Sequence, residues 1–184
     1  MQISDGCNTI LFLWDTERII NLKKQRFNQM IYILIVITSF SADRLSKILI
    51  QKNMELYESK TIIKNIFNLT RTENTGMAHG MLSNKRIFLI SVSFVLIGLV
   101  IYMFSVYKNR LARIGFSLII GGAVGNMYDR IFKGAVTDFI DIPPISFIFP
   151  NFNMADICVT TGTVIIAVFL IFLFKEEVGI PKND

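Results

Sequence analysis

Apolar residues along the chain fall into four runs separated by polar connections. Ile87–Val106 (IFLISVSFVLIGLVIYMFSV) carries no charge, and Ile157–Phe174 (ICVTTGTVIIAVFLIFLF) carries none before Lys175. Met30–Ile50 opens as near-continuous hydrocarbon (MIYILIVITSF) and then acquires Asp43, Arg44 and Lys47 in its last two turns. Leu111–Phe132 is free of charge from Ile114 to Tyr128 and then carries Asp129 and Arg130. Each run approaches the roughly 20 residues that a helix needs to cross a bilayer. The pattern predicts a mainly α membrane protein with four transmembrane helices, two of them clean and two charged at their C-terminal ends.

The connections are different in kind. Residues 51–85 are too polar to span, and NIFNLTRTENTG within them reads as a strand over 66–72 that enters a turn. Residues 133–152 hold Pro143, Pro144 and Pro150 among aromatics and suit an interfacial loop or short strand. In the first 28 residues, NTILFLW is too short to span and no signal-peptide cleavage site follows it. The expected organisation is an amphipathic or disordered cytoplasmic extension over 1–28, a membrane domain over 29–176 and a cytoplasmic tail over 177–184. A start at Met30 is the alternative, but it removes the basic flank of the first helix.

Four spans alternate in direction. The C-terminal ends of the first and third and the N-terminal end of the fourth (FNMADI) therefore share one membrane face, and the polar residues gather there. Lys23, Lys24 and Arg26 before the first span, with Lys108, Arg110 and Arg113 in the second connection, place the opposite face in the cytoplasm. Lys52, Lys60, Lys64, Arg71, Lys85 and Arg86 between the first two spans weigh against this orientation. The balance favours both termini inside and the polar layer outside.

Composition agrees with lipid as the solvent: of 184 residues, 52% are hydrophobic and 18% charged, below the quarter usual for soluble domains. The net charge of +5 is scattered rather than clustered, which argues against a nucleic-acid partner. Cys7 and Cys158 stand far apart, and with a single histidine, His79, they give neither a zinc pattern nor a disulfide framework. Both cysteines read as small apolar residues and His79 as a surface or packing residue. No cofactor and no metal are expected.

The polar layer carries the candidate chemistry. An ionisable residue at the centre of a spanning helix costs roughly 2.5–3.5 kcal/mol on insertion scales, and the short Asp side chain reaches the headgroups poorly. Asp43 and Lys47, at i and i+4, can pair on one face. Asn126, Asp129 and Arg130 share another face, and Gly121, Gly122 and Gly125 just before them permit close helix approach. Asn153 is a candidate N-cap that puts Asp156 at N3, where an acid also suits the helix dipole. Asp138, in VTDFID, brings a second carboxylate toward the same face. Two carboxylates in a partly dry site do not both ionise easily, so one keeps a proton while the other activates water.

These stretches resemble the bacterial lipoprotein signal peptidase (signal peptidase II, aspartic peptidase A8) family. DRLSK resembles its D-x-x-x-K block, NTGMAHGML its N-x-G block, GGAVGNMYDR its G-G-A-x-G-N-x-x-D-R block, GAVTDFID its G-x-V-x-D-F block and FNMADICVTTG its F-N-x-A-D block. The five occur in the family's order over most of residues 30–175. The resemblance implies that Asp138 and Asp156 form the catalytic dyad and that Asn126, Arg130 and Asn153 support the dyad and the substrate backbone. It gives Asp43, Lys47, Asn74, Gly76 and Asp129 structural or substrate-positioning roles. It further implies a small extracytoplasmic β-sheet cradle, residence in the bacterial inner membrane, and contact with membrane lipid. The implied substrates are prolipoproteins, cut before a diacylglyceryl-modified cysteine, and the chain is expected to act as a monomer. His79 and Thr137 depart from the usual Phe and Val. The rival readings are a small transporter or channel, disfavoured because the charges sit at one face and no broken helices appear, and an assembly subunit, which leaves the Asp138/Asp156 pairing unexplained.

Overall fold

The computed structural model describes residues 4–76, 85–148 and 150–174. His79 and the tail at 177–184 lie outside the described residues. The chain divides into two compact units, Met1–Leu34 and Ile35–Asp184. One helix, α1, runs Ser4–Asn53, so the extension expected over 1–28 is helical from Ser4 onward. The remaining elements follow as β1 (Ser59–Ile63), β2 (Phe67–Asn74), α2 (Arg86–Val106), α3 (Arg110–Phe132), β3 (Val136–Asp141) and α4 (Met154–Val168). A single-turn 3-10 segment occupies Pro143–Ile145, and a π-helical stretch, Phe169–Leu173, extends α4.

Among the described residues, three helical segments are long and apolar enough to cross a membrane: Arg86–Val106, Arg110–Phe132 and Met154–Leu173. In α1 the apolar run is interrupted by Asp43, Arg44 and Lys47, and its two faces explain why. Ser39, Asp43 and Lys47, four residues apart, are buried, while Ile37, Leu45, Ile48 and Leu49 are exposed. Polar residues inward and apolar residues outward is the arrangement that lipid rewards, since an intramembrane charge must face a partner. α2 follows the same logic with no polar face: only Leu89 and Ile97 are buried.

Glycines set the spacing of α3. A Cβ on Gly121 would lie 2.7 Å from Ser39 Cβ and 2.8 Å from the Val36 carbonyl of α1. On Gly122 it would lie 2.4 Å from the Ala155 carbonyl of α4. Gly115 and Gly162 repeat this close approach farther along the α3–α4 seam. α3 ends at Lys133 and Gly134, whose N–H groups both reach the Asp129 carbonyl, and Gly134 takes φ +85° to turn the chain. The Arg86 side chain closes two further carbonyls, donating to Arg130 O and Ile131 O. At the other end of α3, Ala112 and Phe116 pack with Phe169 under an aromatic cluster of Phe104, Tyr107 and Phe174.

The three strands form one antiparallel sheet in the order β1-β2-β3. The strand read at 66–72 is β2. β1 was not foreseen, and β3 places Asp138 on a strand, one of the two forms (loop or short strand) read for residues 133–152. Arg71 ties the sheet to the end of α1 by donating to the Gln51 and Met54 carbonyls. The register shifts between Leu69 and Thr72, so that Leu69 faces Ile140 and Thr72 faces Asp138. This irregularity sits beside the carboxylate, where bulges commonly re-aim a side chain.

Candidate active site

Asp138 and Asp156 reach one cavity of about 300 Å³, which Asn74, Asn126, Arg130 and Asn153 also line. The elements deliver them by local rules. Asn153 caps α4: its Oδ1 accepts the Asp156 N–H at 3.1 Å while Asp156 Oδ2 accepts the Asn153 N–H at 3.2 Å, a reciprocal capping box. Asp138 is held by β3, whose outer edge is closed by Phe152: Phe139 and Ile140 donate to the Phe152 carbonyl, and Phe152 N–H donates to Ile140 O.

Four donors meet the four carboxylate oxygens. Asp138 Oδ1 accepts from Asn153 Nδ2 at 2.6 Å and Oδ2 from Asn74 Nδ2 at 3.1 Å. Asp156 Oδ1 accepts from Asn126 Nδ2 at 2.8 Å, and its Oδ2 takes the capping bond above. Asn153 Nδ2 also reaches Asn126 Oδ1 at 3.2 Å, so two amides bridge the two acids. Burial first, and then the negative charge of Asp156, push the Asp138 carboxyl up to about 7.

Behind the cavity lies a closed set of charges. Lys47 is wholly buried, with Nζ 2.8 Å from Asp43 Oδ2, 2.9 Å from Asn126 Oδ1 and 3.0 Å from Asp129 Oδ2. The last is an ion pair without hydrogen-bond geometry. Asp129 also pairs with Arg44, and with Lys133 at 3.2 Å. The other oxygen of Asp43 accepts the Ala155 N–H at 3.0 Å, so an acid from α1 also caps the first turn of α4.

The residues singled out in the sequence therefore divide in two. Asn74, Asn126, Arg130, Asp138, Asn153 and Asp156 surround the cavity. Asp43, Lys47 and Asp129 stand behind it. Gly76 contributes a carbonyl to Arg130 NH2 at 3.1 Å and an N–H to Asn74 Oδ1 at 2.9 Å. The face expected for Asn126, Asp129 and Arg130 is split: Asp129 turns to α1 and Arg130 toward Gly76. Arg44 was missed. It pairs with Asp129 and lies 4.4 Å over the Tyr128 ring, a contact with no signal in local spacing. So was the chain from Gln51 through Thr137 to Glu73, which fixes the residue preceding Asp138. Among the described residues, no three His, Cys, Asp or Glu side chains form a metal-ligating group.

The profile of the family described as signal peptidase (SPase) II matches residues 32–172. A lipoprotein signal peptidase of Clostridium acetobutylicum is 42% identical over 150 residues, covering 80% of this chain and 97% of its own. That of Clostridium novyi is 40% identical over 142 residues, covering 76% and 96%. A solved bacterial membrane enzyme at 2.3 Å resolution superposes with a TM-score of 0.73 at 30% identity, covering 83% of this chain and 93% of that one. A second, at 1.9 Å, gives 0.70 at 32% identity, covering 77% and 93%. With the family profile spanning most of the chain and relatives this similar over nearly their whole length, the protein belongs to the signal peptidase II family.

Proposed function

We propose that the chain removes the signal peptide from prolipoproteins by hydrolysing the bond before a diacylglyceryl-modified cysteine, with Asp138 and Asp156 as the catalytic pair. The observation that carries this reading is the bridged pair itself: two carboxylates joined through Asn126 and Asn153 at the wall of one cavity. Asp138, raised to about 7, holds a proton near neutral pH. Asp156, in the first turn of α4, sits where the helix dipole favours an anion. Asp156 then takes a proton from water as its oxygen attacks the scissile carbonyl. Asp138 gives its proton to the carbonyl oxygen. The tetrahedral intermediate collapses: one of its hydroxyls returns a proton to Asp138 as the C–N bond breaks, and the leaving amine takes up the proton held by Asp156.

Arg130 Nε is buried and has no hydrogen-bond partner among the described residues, which suits it to a substrate backbone carbonyl. The acyl chains and apolar signal helix stay in lipid and hold the scissile bond at the polar layer, so positioning supplies much of the rate enhancement. We assign the enzyme to the bacterial inner membrane as a monomer, with the sheet and cavity extracytoplasmic and both termini cytoplasmic. Residues 29–176 form the peptidase domain, with 1–28 as an extension and 177–184 as a tail. The test is turnover of a synthetic diacylglyceryl-modified precursor peptide by purified protein. Asp138→Asn and Asp156→Asn should each lose at least a thousandfold in kcat while still inserting in the membrane. Near-normal turnover by either variant rejects the pair.

A further inference from the structure

The three amides around the carboxylates are each oriented by a group that can only donate. Asn74 Oδ1 faces the Gly76 N–H, and Asn153 Oδ1 faces the Asp156 N–H. Both of these donors are backbone, fixed by a turn and by a helix start. The third differs: Asn126 Oδ1 faces the Lys47 ammonium at 2.9 Å. An ammonium has three donors and no acceptor, so Asn126 cannot turn its NH2 toward it. Its Nδ2 is thereby committed to Asp156 Oδ1, at 2.8 Å. Asn153 makes the same demand on Asn126 Oδ1 from the other side, through a longer bond of 3.2 Å. Lys47 is thus the one charged group among these orienting donors. Pairing with Asp43 would account for a buried lysine on its own, yet the ammonium also extends to α3.

We propose that Lys47 is a positioning residue for the peptidase reaction, its buried ammonium locking the Asn126 amide and through it the Asp156 carboxylate against Asp138. This rests on the Asp138/Asp156 reading above. The charged groups around the pair are Asp43, Arg44 and Lys47 on α1, Glu73 on β2, and Asp129 and Arg130 on α3, with Lys133 just beyond. Of these, Lys47 is the cation that reaches the dyad through a single amide.

The experiment is a double-mutant cycle in the full-length protein, reconstituted in bilayers and assayed on a synthetic diacylglyceryl-modified peptide across pH. Lys47→Met should lower kcat on the order of 10- to 100-fold, the loss that small misplacements of reacting groups produce, with KM changed less than about twofold. It should also move the alkaline limb of the kcat profile to higher pH, because a cation near the carboxylates is gone. In an Asn126→Ala background most of the Lys47→Met effect on kcat should vanish. Equal losses in both backgrounds with an unmoved pH profile would mean that Lys47 only holds the fold, and the proposal would be overturned. Should Lys47→Met fail to accumulate, Asp43→Asn/Lys47→Met leaves no unpaired carboxylate at position 43 and keeps an acceptor for the Ala155 N–H. Wild-type kcat in that variant overturns the proposal, and a matching loss supports it. Asp138→Asn runs alongside as a control. Turnover by that control rejects the dyad itself, whereas a dead control with an unaffected Lys47 variant rejects only the role of Lys47.

Discussion

Asp138, proposed above as one of the catalytic pair, also bears on stability. Its carboxyl is raised from an ordinary 3.8 to about 7, by burial first and by Asp156 second. Between those values the folded protein binds more protons than the unfolded chain. The stabilisation is therefore fully present below the lower value and is lost as pH rises through the upper one. In size it is up to about 4 kcal/mol, at 1.36 kcal/mol per pKa unit. The apparent melting temperature of wild type should fall between about pH 4 and about pH 7, and that of Asp138→Asn should fall less. Asn at this position offers one acceptor oxygen to two donors, Asn153 Nδ2 and Asn74 Nδ2, so the variant starts from a lower value. The slope is the test, and parallel slopes would mean that Asp138 does not carry the raised proton affinity. Two features of this neighbourhood were legible in the chain. The spacing of Asn153 and Asp156 announced an N-cap with an acid at N3, and that of Asp43 and Lys47 an ion pair. The Ala155 bond to Asp43 spans 112 positions and leaves no trace in local spacing.

Among the elements, helices were easier to read than strands because lipid imposes long uncharged runs on helices, whereas β1 is five exposed residues with no alternation to reveal it. The glycines of α3 were read as a contact face, and the structure adds that the face is shared between two neighbours. Gly121 meets α1, Gly122 meets α4, and Gly125 lies against Asp43, whose Oδ2 would be 2.5 Å from an added Cβ. Gly122→Ala must push α4 away, because the obstructing atom is the Ala155 backbone carbonyl, and overpacking of this kind costs about 1–3 kcal/mol. Ala155 directly precedes Asp156, so the displacement should also separate the two carboxylates. Gly122→Ala should then lower both the apparent melting temperature and kcat, the latter by more than tenfold. Gly98, in α2, has nothing within 4 Å of an added Cβ. Gly98→Ala should therefore keep full activity and equal or slightly higher thermal stability, since alanine favours a helix over glycine by about 1 kcal/mol. Equal effects at the two positions would reject the close-contact account.

At the scale of the whole unit Ile35–Asp184, the two ends differ in solvent and in chemistry. One end is plugged by Phe116, Phe169 and Tyr107, and the other carries the sheet, the buried ion pairs and the cavity. That polar residues from distant runs share one end followed from helix alternation alone. The side of the membrane to which that end belongs did not follow as firmly, because basic residues flank both ends of the spans. Lys108, Arg110 and Arg113 stand against Lys52, Lys60 and Lys64. A difference in access to the two ends separates the alternatives. With Cys7 and Cys158 replaced by alanine, a single cysteine at Lys60 on β1 or at Arg110, the first residue of α3, samples one end each, and both native positions are exposed. In cells stripped of their wall but with an intact membrane, a membrane-impermeant maleimide should label Lys60→Cys and spare Arg110→Cys. After lysis it should label both. Neither substitution touches the cavity, so precursor processing by both variants verifies that the labelled protein is correctly folded. Labelling of Arg110→Cys alone in intact cells would invert the enzyme. The substrate would then have to be cut on the cytoplasmic side, against the orientation proposed above.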